Sequence, residues 1–132
     1  MKYKKGYENW LVENEVYDTK IKPEEKVQNH WFELSTGGVL TVYAGYAWDG
    51  ASGPTIDTPA AKYASLAHDV FYQCMRQGLL PISMRKAVDE EFFRMLREKG
   101  MWWIRAKTWY LALRWKGRTA ALPQSIKKVF EV

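Results

Sequence analysis

Cysteine occurs once in the chain, at Cys74, so no internal disulfide can form and folding needs no oxidising compartment. A lone thiol of this kind is read as a small apolar residue rather than as a nucleophile. Histidine occurs twice, at His30 and His68, and the two lie far from each other in sequence, which argues against a zinc site built from His and Cys. His30 lies in an expected strand beside Trp31 and is read as packing or facing solvent. No apolar run approaches the roughly 20 residues that span a bilayer. The opening Met-Lys-Tyr-Lys-Lys is polar and lacks the apolar core of a signal peptide. A soluble protein is therefore expected, with no signal peptide and no transmembrane segment. Repeats, linkers and low-complexity segments are likewise missing.

What the chain does have is rings. Its 132 residues include 7 Trp, 8 Tyr and 5 Phe, an aromatic share that leaves some rings for a ligand, a partner or a membrane as well as the core. The length suits a single domain over residues 1–132. The net charge of +5 is unevenly placed: residues 1–75 hold 7 Lys/Arg against 10 Asp/Glu, and residues 76–132 hold 13 against 5. A basic second half is read either as a phosphate-facing surface or as a solvated one.

The pattern of residues predicts an α+β fold, with a small N-terminal antiparallel β-sheet followed by three α-helices, the first two an antiparallel pair. Trp10, Val12, Val16 and Ile21 suggest one or two short strands, with Asp18-Thr19 as a turn. Two β-rich runs, His30 to Leu34 and Val39 to Tyr43, flank Ser35-Thr-Gly-Gly38 and read as a β-hairpin. Thr58-Pro59 supplies an N-cap and a first-turn proline for a helix from Ala60 to Arg76, with Ala60, Ala64, Ala67, Phe71, Cys74 and Met75 on its apolar face. Ser83 is expected to cap a second helix that Gly100 stops, its apolar face built from Met84, Val88, Phe92, Met95 and Leu96. A third, about Trp102 to Lys116, has two stripes: Trp102, Ala106, Trp109 and Leu113 on one side, Ile104, Leu111 and Trp115 on the other. Residues 118–132 read as a tail packed by Leu122, Ile126, Val129 and Phe130.

Function concentrates in two stretches. Tyr46-Ala-Trp-Asp-Gly-Ala-Ser-Gly-Pro-Thr-Ile-Asp57 is Gly-rich and carries two Asp; after ten intervening residues comes His68-Asp-Val-Phe-Tyr72 on a helix. Asp89 falls among apolar neighbours on the second helix and needs a partner, since an unpaired buried charge costs several kcal/mol, roughly. An antiparallel helix pair brings His68 opposite Asp89, and a carboxylate on one ring nitrogen leaves the other as a general base. Asp69 then points elsewhere and is free to bind a metal, and Asp49, Gly50, Gly53 and Asp57 provide a loop whose carboxylate and carbonyl oxygens suit a hard cation such as calcium. A Ser52-His68-Asp89 triad is the weaker alternative, because no strand-elbow-helix context surrounds Ser52.

The order Gly-rich loop, H-D-x-x-Y helix and Asp on a following antiparallel helix resembles the phospholipase A2 superfamily, particularly its small bacterial members. The resemblance implies His68 as the base that activates water, Asp89 as its orienter, Tyr72 as a hydrogen-bonding support, and Asp69 as a calcium ligand with Asp49, Gly50 and Gly53. Ala64, Ser65 and Phe71 stand near H-D where animal members carry cysteines. Over nearly the whole chain, Ala44-Gly-Tyr-Ala-Trp-Asp-Gly-Ala-Ser-Gly-Pro-Thr55, Ser65-Leu-Ala-His-Asp-Val-Phe-Tyr72, Arg76-Gln-Gly78 and Asp89 with Phe92 are similar to an uncharacterised family of small bacteriophage and prophage proteins. That resemblance implies residence in the cytoplasm of a bacterial host or in a virion.

Three functions follow as expectations: calcium-dependent lipid ester hydrolysis at a membrane interface, a non-enzymatic structural or assembly role, and nucleic-acid binding. The last is disfavoured because two apolar stripes split the basic residues of the third helix. The expected partners are membrane lipid or a virion component, with a homo-oligomer through Ile104, Leu111 and Trp115 as a further reading.

Overall fold

The computed structural model describes residues 3–4, 9–48 and 58–121, with side chains over 10–48 and 58–115. Asp49, Gly50, Ser52, Gly53 and Asp57 lie outside the described residues, as do Leu122, Ile126, Val129 and Phe130 of the expected tail.

The first part of the chain forms two antiparallel sheets. β1 (Tyr3–Lys4), β2 (Asn9–Leu11), β3 (Glu15–Asp18), β4 (Val27–Gln28), β5 (Phe32–Leu34), β6 (Val39–Val42) and β7 (Ala47–Trp48) follow in chain order. They assemble as β1-β2-β7 and as β3-β6-β5-β4. Alternation decides which face is buried: Tyr17, Phe32, Leu34, Leu40 and Val42 point inward, while Val16 and Val39 face solvent. Cross-strand pairs Leu34↔Leu40, Phe32↔Val42 and Tyr17↔Leu40 place these inward residues opposite one another. In the N-terminal strands the residues that carry the core are Leu11 and Tyr17. Trp10, Val12 and Val16, apolar as they are, lie on the exposed side.

The β5–β6 hairpin forms where expected, and its last glycine has a strict geometric reason. Gly38 has φ 92°, and a Cβ there would fall 2.2 Å from the Thr19 carbonyl oxygen. Thr19 in turn donates to the Gly38 carbonyl from both its backbone N–H (2.9 Å) and its hydroxyl (2.8 Å). Gly38→Ala is therefore expected to destabilise the protein by about 1–3 kcal/mol in urea denaturation. Gly37→Ala, whose Cβ would lie 3.7 Å from the Ser35 hydroxyl, should leave the urea midpoint close to wild type.

Three helices follow: α1 (Pro59–Arg76), α2 (Arg85–Glu98) and α3 (Trp103–Ala121). Thr58 caps α1 by accepting from the Ala61 N–H at 3.1 Å, with Pro59 in the first turn. Ser83 does not cap α2. After Pro81 the chain first winds into a 3₁₀ turn over Ile82–Met84, which puts Ser83 inside the turn and Met84 at the helix start with no side-chain cap. Gly78 and Gly100 take positive φ after α1 and α2, as helix-stopping glycines do. α3 continues past Lys116, and among the described residues the covered stripe is that of Ala106, Trp109 and Leu113. Ala106 and Trp109 are buried and Leu113 packs on the core, but Trp102 is exposed because it precedes the first helical turn and only its carbonyl joins it.

α1 packs against α2, α2 against α3, and α1 also reaches α3 and β6. Tyr17 ties sheet to helix by donating to the Tyr63 carbonyl at 2.7 Å. On the far edge of α2, Glu91, Arg94 and Glu98 line up as their spacing requires, with Arg94 bonded to both carboxylates at 2.6 Å. Glu91 is nevertheless buried, because it also accepts the Lys20 backbone N–H at 2.5 Å while Arg94 donates to the Asp18 carbonyl at 3.1 Å. Among the described residues no helix is long and apolar enough to cross a membrane.

Candidate functional site

His68 and Tyr72 stand one turn apart on α1, so their rings meet on one side of the helix, 4.2 Å between centroids. Asp89 faces them from α2. Its Oδ1 accepts from His68 Nε2 at 2.8 Å and from the Tyr72 hydroxyl at 2.7 Å. Its Oδ2 accepts from Arg114 Nη1 on α3 at 2.9 Å. Asp89 is fully buried, and three charge-assisted bonds from two other helices answer the need for a partner that its position creates. The Phe92 ring meets the imidazole in an edge contact, 5.1 Å between centroids.

The protonation pattern follows from this geometry. Burial alone would push the Asp89 carboxyl up, but the hydrogen bonds from His68, Tyr72 and Arg114 together outweigh it and hold the group below the usual carboxylate range. Asp89 is thus an anion and only accepts, so the His68 Nε2 must carry the hydrogen that lies between them. Burial lowers the pKa of His68, against a smaller upward pull from Asp89, so the ring is neutral at pH 7. A neutral imidazole with its hydrogen on Nε2 has its lone pair on Nδ1. Burial and the bond to Asp89 raise the Tyr72 hydroxyl, which stays a donor.

Arg114 and Arg85 were not singled out by sequence reasoning. The signal for Arg114 was present in the demand of Asp89 for a cation, but wheel geometry set Arg114 between two stripes of α3, among the solvated charges. Arg85 stands one turn before Asp89 on α2 and looks like its natural partner. Instead it turns to α3, where Nη2 donates to the Arg114 carbonyl at 2.6 Å and more weakly to that of Leu113 at 3.3 Å. Its charge further lowers the pKa of His68.

Asp69 is half-buried. Its charge adds to the effect of burial in raising the Tyr46 hydroxyl, which places the carboxylate beside β7 and its approach. Tyr46 donates to Gln73 Oε1 at 2.9 Å and Trp48 Nε1 to the Ser65 hydroxyl at 3.2 Å. Those two contacts lie one helical turn to either side of Asp69, so the strand that leads into residues 49–57 runs along it. Among the described residues no group of three or more His, Cys, Asp and Glu is placed to hold a metal ion. Asp49, Gly50 and Gly53, expected to complete a calcium site with Asp69, lie outside the described residues.

Two other candidates resolve simply. Cys74 is buried, and burial pushes its thiol up to about 12, so it packs rather than attacks. His30 is exposed and meets Trp31 edge-on at 4.7 Å. No family model, curated protein or solved structure matches the chain.

Proposed function

We propose that the protein is a phage-encoded hydrolase of the phospholipase A2 kind, with lipid esters as its substrate class and His68 as its general base. The observation that carries this reading is the bond between His68 Nε2 and a buried, ionised Asp89, which leaves Nδ1 able to take a proton at neutral pH. In the reaction Nδ1 takes a proton from water as its oxygen bonds to the ester carbonyl carbon. When the ester C–O bond breaks, the same proton passes to the departing alcohol oxygen. Asp89 steadies the imidazolium between these steps, and Tyr72 and Arg114 hold Asp89 in place and ionised.

Calcium belongs to this proposal through Asp69, with Asp49 and the carbonyls of Gly50 and Gly53. Asp69 suits that role as a partly exposed carboxylate beside the strand that enters the Gly-rich stretch. When bound, the ion supplies positive charge for the oxyanion. Calcium at about 100 times its Kd should add roughly 2.7 kcal/mol of stability, read as a rise in Tm of several degrees. Asp69→Asn should remove that rise, and fatty acid release from phospholipid micelles should need calcium. If calcium leaves Tm unchanged and no fatty acid appears, the hydrolase reading fails.

One observation favours a second reading, a structural or assembly protein. Asp89 joins α1, α2 and α3 and is satisfied by side chains of the chain itself, so the cluster also works as a brace that needs no substrate. On that reading the protein copurifies with particles and His68→Ala lowers only its stability.

A further inference from the structure

We infer that α3 is an interfacial helix that seats the protein on an anionic lipid bilayer, with Ile104, Leu111 and Trp115 entering the headgroup region. The inward side of α3 is occupied by Ala106, Trp109 and Leu113. On the opposite side Ile104 is 54 % exposed, Leu111 55 % and Trp115 82 %, and Trp102 and Trp103 are exposed at the start of the helix. Scattered surface apolar residues are ordinary, but Ile104, Leu111 and Trp115 share one side of α3, and Trp102 and Trp103 add exposed rings at its N-terminal end.

Charge names the occupant. α3 carries five Lys/Arg and no Asp/Glu, and no carboxylate side chain occurs between Glu98 and Glu131. Trp, Ile and Leu flanked by Lys and Arg is the composition of a helix lying in the plane of an anionic headgroup layer. A second copy docked on the same stripe would set like charges against each other. Nucleic acid would stack on the Trp rings but gains little from Ile104 and Leu111 between them. The inference deepens the hydrolase reading and rests on it only for why the protein should meet lipid. Arg114, next to Trp115 in sequence, bonds Asp89, so the helix that meets the bilayer also completes the His68 cluster.

The test is cosedimentation of the full chain with vesicles of phosphatidylcholine and phosphatidylglycerol in equal parts, beside vesicles of phosphatidylcholine alone. Binding to the mixed vesicles should be more than about tenfold tighter and should weaken with salt. Trp115→Glu and Leu111→Glu should each weaken it about tenfold or more, and Lys107→Glu at least about fivefold, with circular dichroism showing each variant still folded. His68→Ala should bind as wild type does. Wild-type binding without fatty acid release would overturn hydrolysis while leaving the docking surface intact. The inference is overturned by no sedimentation, or by wild-type affinity in Trp115→Glu. It is also overturned by a dimer that Trp115→Glu dissociates, or by oligonucleotide binding tighter than vesicle binding and lost in the same variants.

Discussion

Asp89→Ala should unfold more easily than wild type by about 3–5 kcal/mol, the usual result of removing one member of a buried ionic cluster. The size comes from what is left behind. His68 Nε2–H, the Tyr72 hydroxyl and Arg114 Nη1 all lose their acceptor, and Arg114 keeps its charge in a partly buried position. Equilibrium urea denaturation followed by circular dichroism measures the loss. Glu90→Gln, at the neighbouring exposed position, should stay within about 0.5 kcal/mol of wild type. If Asp89→Ala were equally mild, the cluster would not be holding the three helices together.

The second large effect falls on turnover. His68→Ala should lower the rate of ester hydrolysis by about 10²–10⁴-fold, the range a general base contributes. Asp89 keeps two of its three donors in that variant, so the protein should remain folded, and circular dichroism separates lost chemistry from lost structure. Acid adds a signature. Burial depresses the folded pKa of His68 below 6.5, so between that folded value and 6.5 the unfolded chain binds the extra proton and stability rises with pH. The contribution is complete above about 6.5 and is lost as pH falls through the folded value. Asp89, also depressed, adds a second loss of the same sign at lower pH. Activity should therefore stay level through neutral pH and fall only below the unperturbed histidine range. A wild-type rate that instead halves near pH 7 would contradict a base depressed by burial.

Much of the arrangement was legible in the residues, for reasons that can be named. His68 and Tyr72 are spaced one turn apart on a helix whose apolar face is unmistakable, and Asp89 lies among Phe92, Phe93 and Leu96, so a short connector between helices was enough to predict their meeting. The hairpin at Gly37-Gly38 was equally plain, because paired glycines between β-rich runs leave few alternatives. What escaped was tertiary. Trp10, Val12 and Val16 are as apolar as core residues, yet alternation turns the other face inward, and only the pairing of β2 with β7 and of β3 with β6 fixes which face that is. Arg114 lies 25 residues beyond Asp89 on the next helix, and a wheel drawn on α3 alone cannot show that a guanidinium beside the buried stripe reaches across to α2. Ser83 failed as a cap because local winding after Pro81 delayed the start of the helix, a choice between helix types that propensity does not decide.

The bond from Arg114 to Asp89 also sets a clock. The ribosome delivers His68, Tyr72 and Asp89 well before Arg114, so a nascent chain that has emerged only through α2 holds the histidine and both of its α1–α2 neighbours without the cation that neutralises the carboxylate. Until α3 docks, Arg85 also lacks the carbonyls of residues 113 and 114 that it grips. Completion of the cluster therefore waits for α3, and the buried charge gains its cation only after the helix that carries Arg114 has been made.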